Sequence, residues 1–92
     1  MRKNTEAVFK AWRSGRSARP CKSRSIWTDG ARIISYNTEI ARQNGAEIAI
    51  NGHKYSVTTS CQQSNLQTLC RQSGLSFRVY HTDIDYMRAV NA

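Results

Sequence analysis

The chain has 92 residues, 39% of them hydrophobic, and a formal net charge of +8 at pH 7. A chain of this length folds as one compact domain, 1–92, with a modest core, because it buries only about 60–65% of its unfolded surface and has little interior for a deep active site. No run approaches the ~18–20 apolar residues of a membrane span, and no apolar stretch follows Met1-Arg2-Lys3-Asn4 to make a signal peptide, so export is not expected.

The charge is localised. Residues 1–24 hold eight basic side chains against one acid, Glu6, whereas residues 25–92 hold six basic and five acidic side chains. A one-signed segment of this kind raises the local potential, speeds encounter with polyanions and supports phosphate contacts. The three cysteines, Cys21, Cys61 and Cys70, are odd in number and form no CxxC pair, which fits free thiols in a reducing cytosol.

In chain order, Asn4 or Thr5 caps a first helix over about 5–14, with Val8, Ala11 and Trp12 at helical spacing, Phe9 widening the stripe and Gly15 as its stop. Residues 13–25 are small, polar and basic and contain Pro20, so they read as an exposed loop or arm. Three Asx-Gly dipeptides follow: Asp29-Gly30, Asn44-Gly45 and Asn51-Gly52. Each suits a tight hairpin turn. Strands are expected over 25–28, 31–36, 46–50 and 53–58, the last presenting Tyr55 and Val57 on one face. Ser60 with Gln63 makes a capping box for a second helix, striped by Leu66, Leu69 and Cys70 and stopped by Gly74. Phe77 to His81 alternates as a further strand, and Asp83 caps a last turn carrying Ile84, Met87 and Val90. The fold class is therefore α+β: an antiparallel β-meander of four to five strands, an N-terminal helix, and a second helix after the meander.

The candidate binding residues are Lys10, Arg13, Arg16, Arg19, Lys22 and Arg24. Arginine suits phosphate and carboxylate because its planar fork donates two parallel hydrogen bonds. A solvated face that only aids solubility is the plainer reading, but the charge density exceeds that need. His53, Cys61, Cys70 and His81 are zinc-type residues whose spacings match no usual ligand pair, so no metal site or other cofactor is expected. Ser60, Cys61, His53, His81, Asp83 and Asp85 are available for catalysis in principle. No nucleophile elbow, P-loop or HExxH organises them, and the chain reads as a non-enzyme. Trp27, Tyr36, Tyr55, Phe77 and Tyr80 lie on or near strands, where exposed rings can stack on bases but more often pack the core. Tyr80 is the one expected outside.

Trp27-Thr28-Asp29-Gly30, Ser35-Tyr36-Asn37-Thr38, Ile40-Ala41 and Asn51 to Ser60 carry a resemblance. The chain resembles small phage-encoded proteins with a TDG…SY.T.IA…NG..YS.TTS..Q signature, over roughly 25–65. In length, charge and pattern it is also similar to a phage anti-CRISPR family acting on the type I-F (Csy) surveillance complex. That resemblance implies a non-enzymatic inhibitor in the host bacterial cytoplasm. Its partner would be the ribonucleoprotein surveillance complex, with contacts to Cas proteins and guide RNA that hinder target DNA pairing. The signature supplies no catalytic residues, and it leaves out the basic segment. The alternative is a small basic phage nucleic-acid-binding protein of another pathway.

Overall fold

The computed structural model describes residues 2–20, 25–44 and 47–91. Helix α1 (Arg2–Arg13) leads into β1 (Ser17–Ala18), β2 (Trp27–Asp29), β3 (Arg32–Ser35), β4 (Thr38–Asn44) and β5 (Glu47–Asn51). Helix α2 (Val57–Gln72), β6 (Phe77–Tyr80) and helix α3 (Asp83–Val90) complete the chain. The strands form one sheet in the order β1-β2-β3-β4-β5-β6. The first four pairings are antiparallel, and β6 joins β5 in parallel. A parallel neighbour needs a crossover of a dozen or more residues, and α2 is that crossover.

The register sorts side chains between the two faces. Ile33, Ala41, Ile50 and Val79 form one cross-strand row. This row meets Val8, Phe9 and Trp12 of α1 and Leu66 and Cys70 of α2 in the hydrophobic core. A fully buried isoleucine or leucine there contributes about 1.5–3 kcal/mol. The next row, Arg32, Arg42, Ala49 and Arg78, points the other way. On that second face α3 packs against β5 and β6. Its buried Tyr86 donates a 2.6 Å hydrogen bond to Glu39, which also accepts from Arg42. Burial and the Glu39 contact both push the Tyr86 phenol well above its ordinary pKa. Among the described residues no helix is long and apolar enough to cross a membrane.

The α+β class and the N-terminal helix match the expectation, but the described residues form six strands and three helices where four to five strands and two helices were expected. The Asp29-Gly30 hairpin is present, with Asp29 Oδ1 accepting from the backbone N–H of Ala31 and Arg32. Pairing of Asn44 with Glu47 closes the next hairpin, while the 45–46 positions of its expected turn lie outside the described residues.

Asn51-Gly52 is not a hairpin turn. Asn51 is fully buried and ends β5, and Gly52 donates to the Tyr80 carbonyl at 2.7 Å. A Cβ on Gly52 would lie 2.6 Å from Val79 Cγ1, so glycine serves close approach to β6 here. The strand expected over 53–58 is absent. Ser56 caps α2, accepting from the Thr59 N–H, and Ser60 lies one turn inside the helix. Val57, expected to share a strand face with Tyr55, is 82% exposed at the helix start. Likewise α3 is a full helix capped by Thr82, not a turn capped by Asp83, and Tyr86 is its buried residue while Ile84 is exposed.

Candidate functional site

The C-terminal ends of α1 and α2 lie beside each other and are built alike. At α1, Gly15 N–H donates to Trp12 O and Arg16 N–H to Ala11 O. At α2, Gly74 N–H donates to Arg71 O and Leu75 N–H to Cys70 O. Both pairs are Schellman closures, which satisfy the last carbonyls and require a left-handed residue. Gly15 (φ 71°) and Gly74 (φ 67°) supply it.

Between these closures runs an open groove of about 530 Å³, with Phe9 and Leu75 in its wall and Lys10, Arg13 and Arg16 around it. All three cations are exposed. Arg13 Nη1 donates to Gln43 Oε1 at 2.7 Å, which orients its guanidinium across the end of β4. Arg71 belongs to the same end. Burial pushes the neighbouring Cys70 thiol up to about 11, against an opposing pull from the Arg13 and Arg71 charges. Cations in a last helical turn complement the helix dipole, an effect of about 0.3–1 kcal/mol each. That accounts for Lys10, Arg13 and Arg71 as single residues. It does not account for Arg16, which lies beyond the helix, nor for a groove lining without a carboxylate.

Within the segment expected as an exposed loop or arm, the described residues 17–18 and 25 are held to the fold. Ser17 and Ala18 pair with Asp29 and Thr28 to make the edge strand β1. Gln62, in the middle of α2, donates to the Ser25 carbonyl at 2.7 Å and holds the far end. This corrects the loop reading: polar Ser17-Ala18 has no strand signature, and the backbone of β2 recruits it. The register carries Arg19 away from the groove to the opposite face of the sheet, where its guanidinium lies 5.0 Å from the Trp27 ring centroid. Of the six candidate cations, Lys10, Arg13 and Arg16 come together, Arg19 separates from them, and Lys22 and Arg24 lie outside the described residues.

Several other candidates have structural employment. The His53 ring packs on Tyr55 at 4.7 Å between centroids. Asp83 accepts from the Tyr55 hydroxyl and from Asn51 Nδ2. Cys61 is exposed on α2, and Cys70 is buried at the other end of that helix. Among the described residues no group of three or more His, Cys, Asp or Glu could hold a metal ion. A larger cavity of about 610 Å³ beside Tyr55, Val57 and Cys61 gathers no acid–base set. Tyr80 is half-buried against Tyr86, contrary to expectation; Tyr36 and Tyr55 are the exposed tyrosines, at 45% and 40%.

Asp29 and Arg32 form a second electrostatic feature, on the open face. Partial burial works to raise the Asp29 pKa. Hydrogen bonds from the Arg32 guanidinium and from the Arg32 and Ala31 N–H groups outweigh it and hold that pKa at about 2. Arg32 and Arg42 of this face are therefore partly neutralised by Asp29 and Glu39, unlike the arginines of the groove. Sequence reasoning missed Arg71, although its place in the last turn of α2 next to Gly74 puts it at the same kind of closure as Arg13. No protein-family model matches this chain, nor does any curated protein or solved structure, so the site is defined by its own geometry.

Proposed function

We propose that this protein is a non-enzymatic binder of an RNA-bearing complex, engaging phosphates with Lys10, Arg13, Arg16 and Arg71. The observation that carries this reading is the carboxylate-free groove that collects three of the six cations at the meeting of two capped helix ends. Bidentate guanidinium–phosphate bonds suit such a rim, and release of counterions supplies much of the affinity. The similarity of the whole chain in length, charge and pattern to a phage anti-CRISPR family extends the proposal to a type I-F surveillance complex of a bacterial host. There the protein would sit on Cas proteins and guide RNA and hinder pairing with target DNA.

The test is purification of tagged protein from cells expressing that complex, with and without nuclease. Wild-type protein is expected to retain Cas subunits and guide RNA. The variant combining Lys10→Gln, Arg13→Gln and Arg16→Gln is expected to lose them while remaining folded. Full retention by that variant would dismiss the groove. Recovery of bulk nucleic acid alone, lost as salt is raised, would favour the simpler basic nucleic-acid-binding protein. In that case the salt slope of the triple variant should fall by roughly 2–3, one phosphate contact per cation removed.

A further inference from the structure

The β3–β4 hairpin turns on Tyr36 and Asn37, between the paired Ser35 and Thr38. Tyr36 has φ 56° and is the one described residue other than glycine with positive φ. For a bulky aromatic residue this conformation is an outlier, and glycine takes it without the steric cost. Strain of this kind persists where the surroundings enforce it, and it clusters at functional positions. The enforcement here is visible: Trp27 Nε1–H donates to the Tyr36 carbonyl at 3.0 Å. The Tyr36 residue stays 45% exposed.

The surroundings name the ligand chemistry. Arg19 lies over the Trp27 ring at 5.0 Å, and that indole is hydrogen-bonded to the Tyr36 backbone, so a cation and an indole stand next to the exposed Tyr36 at one end of the sheet's open face. Among the described residues Arg19 lies against this ring and pairs with no carboxylate. Helix α3 packs against β5 and β6, at the far edge of the same face. Arg16 at the groove and Arg19 on the open face flank the edge strand β1, about 10 Å apart along an extended backbone. Aromatic rings beside a guanidinium are the means by which proteins hold unpaired bases while cations hold the phosphates.

We infer that Tyr36, with the Arg19–Trp27 stack beside it, is a stacking subsite for an unpaired RNA base on a strand that crosses the β1 edge from the groove. The inference rests on the phosphate-binding reading above and adds base contact to it.

The experiment compares binding of a fluorescent single-stranded oligouridylate with binding of an abasic oligomer of the same length, which keeps the phosphates and lacks the bases. Tyr36→Gly removes both ring and strain. Its melting midpoint is expected at or above that of the wild type, while its affinity for oligouridylate falls roughly 5- to 100-fold, the range of one aromatic–base stack. Its affinity for the abasic oligomer stays unchanged. Tyr36→Asn tolerates positive φ and gives the same pattern, and Tyr36→Phe keeps wild-type affinity. The triple groove variant weakens both oligomers alike. Equal wild-type affinity for the two oligomers, or undiminished oligouridylate binding by Tyr36→Gly and Tyr36→Asn, would overturn the subsite and leave the phosphate reading standing. Wild-type protein that binds neither oligomer also overturns the subsite, and co-purification of the surveillance complex then decides the phosphate reading separately.

Discussion

At the N-terminal end of α2 the polar groups face one another, whereas at its C-terminal end they face solvent. Asn51 is fully buried, and its Nδ2 donates to Glu39 O, Tyr55 Oη and Asp83 Oδ1. Its Oδ1 accepts from the His53 N–H, while Gln63 Nε2 donates to the carbonyls of Asn51 and His53. One amide therefore ties β4, the 52–56 connection and α3 together. At the other end, Lys10, Arg13 and Arg16 stay exposed around a groove with no carboxylate in its lining. Buried polar groups have to be satisfied internally, and doing so fixes a unique packing. Exposed like charges add only small helix-end interactions to the domain and repel one another, so they contribute little to its packing.

The contrast predicts where mutation destabilises. Asn51→Ala leaves the Glu39 carbonyl and the His53 N–H without their partner in a partly buried setting. The expected cost is about 2–4 kcal/mol. For a domain of this size that lowers the melting midpoint on the order of 10–20 °C. Thermal denaturation followed by circular dichroism measures it. A shift of only a degree or two would mean that water replaces the amide readily, and the inward-facing end would lose its claim to hold the fold.

The helix cap beside this network is a smaller lever. Ser56 Oγ accepts from the Thr59 N–H, and Thr59 Oγ1 bonds Ser35 Oγ on β3 at 3.0 Å. Ser56→Ala should cost about 1 kcal/mol, or about 4–8 °C in midpoint. Ser60→Ala, which removes the cap suggested by the capping-box pattern, should cost less than half as much. Reversal of that order would restore the helix start to Ser60.

The same serines show how far the sequence could be read. Val57-Thr58-Thr59 is β-branched and alternates with Tyr55, so local propensity favours a strand. Helix wins because Ser56 caps it and because Gln62, Gln63 and Leu66 gain burial only on a helical face. Strand β4 escaped notice for a related reason. A register shift between β3 and β4 lets adjacent Ile40 and Ala41 both enter the core, which breaks the alternation that marks a strand. The turn before it, Tyr36-Asn37, lacks the glycine that betrayed its neighbour at Asp29-Gly30. Helix α1 and its glycine stop were legible because amphipathic spacing and Gly15 agree.

Of the site, charge density along residues 1–24 was legible, but the division of that charge was not. Whether Arg16 and Arg19 share a face depends on two residues of edge pairing, Ser17 and Ala18, that carry no strand signal. Arg71 comes to the same end of the molecule through the packing of α1 on α2, a tertiary contact that spacing within either helix does not encode, and its guanidinium lies 5.6 Å from the Phe77 ring beside the groove lining.

The smallest expected effect concerns the exposed end. Replacing Lys10, Arg13 and Arg16 by glutamine removes favourable helix-end interactions of about 0.3–1 kcal/mol each for the two residues within α1. It also removes repulsion among neighbouring cations, about 0.4 kcal/mol for each pair some 10 Å apart in water. These contributions have opposite sign and similar size, so the net change should stay within about 1 kcal/mol, or a few degrees in midpoint. Both are screened as the Debye length falls from about 30 Å at 0.01 M salt to about 3 Å at 1 M. Wild type and variant should therefore converge at high salt. A large loss that persists across the whole salt range would mean that these side chains hold the fold through packing, and the two ends of α2 would no longer differ in kind. Convergence, with binding lost, would leave a set of charges whose work lies outside the domain.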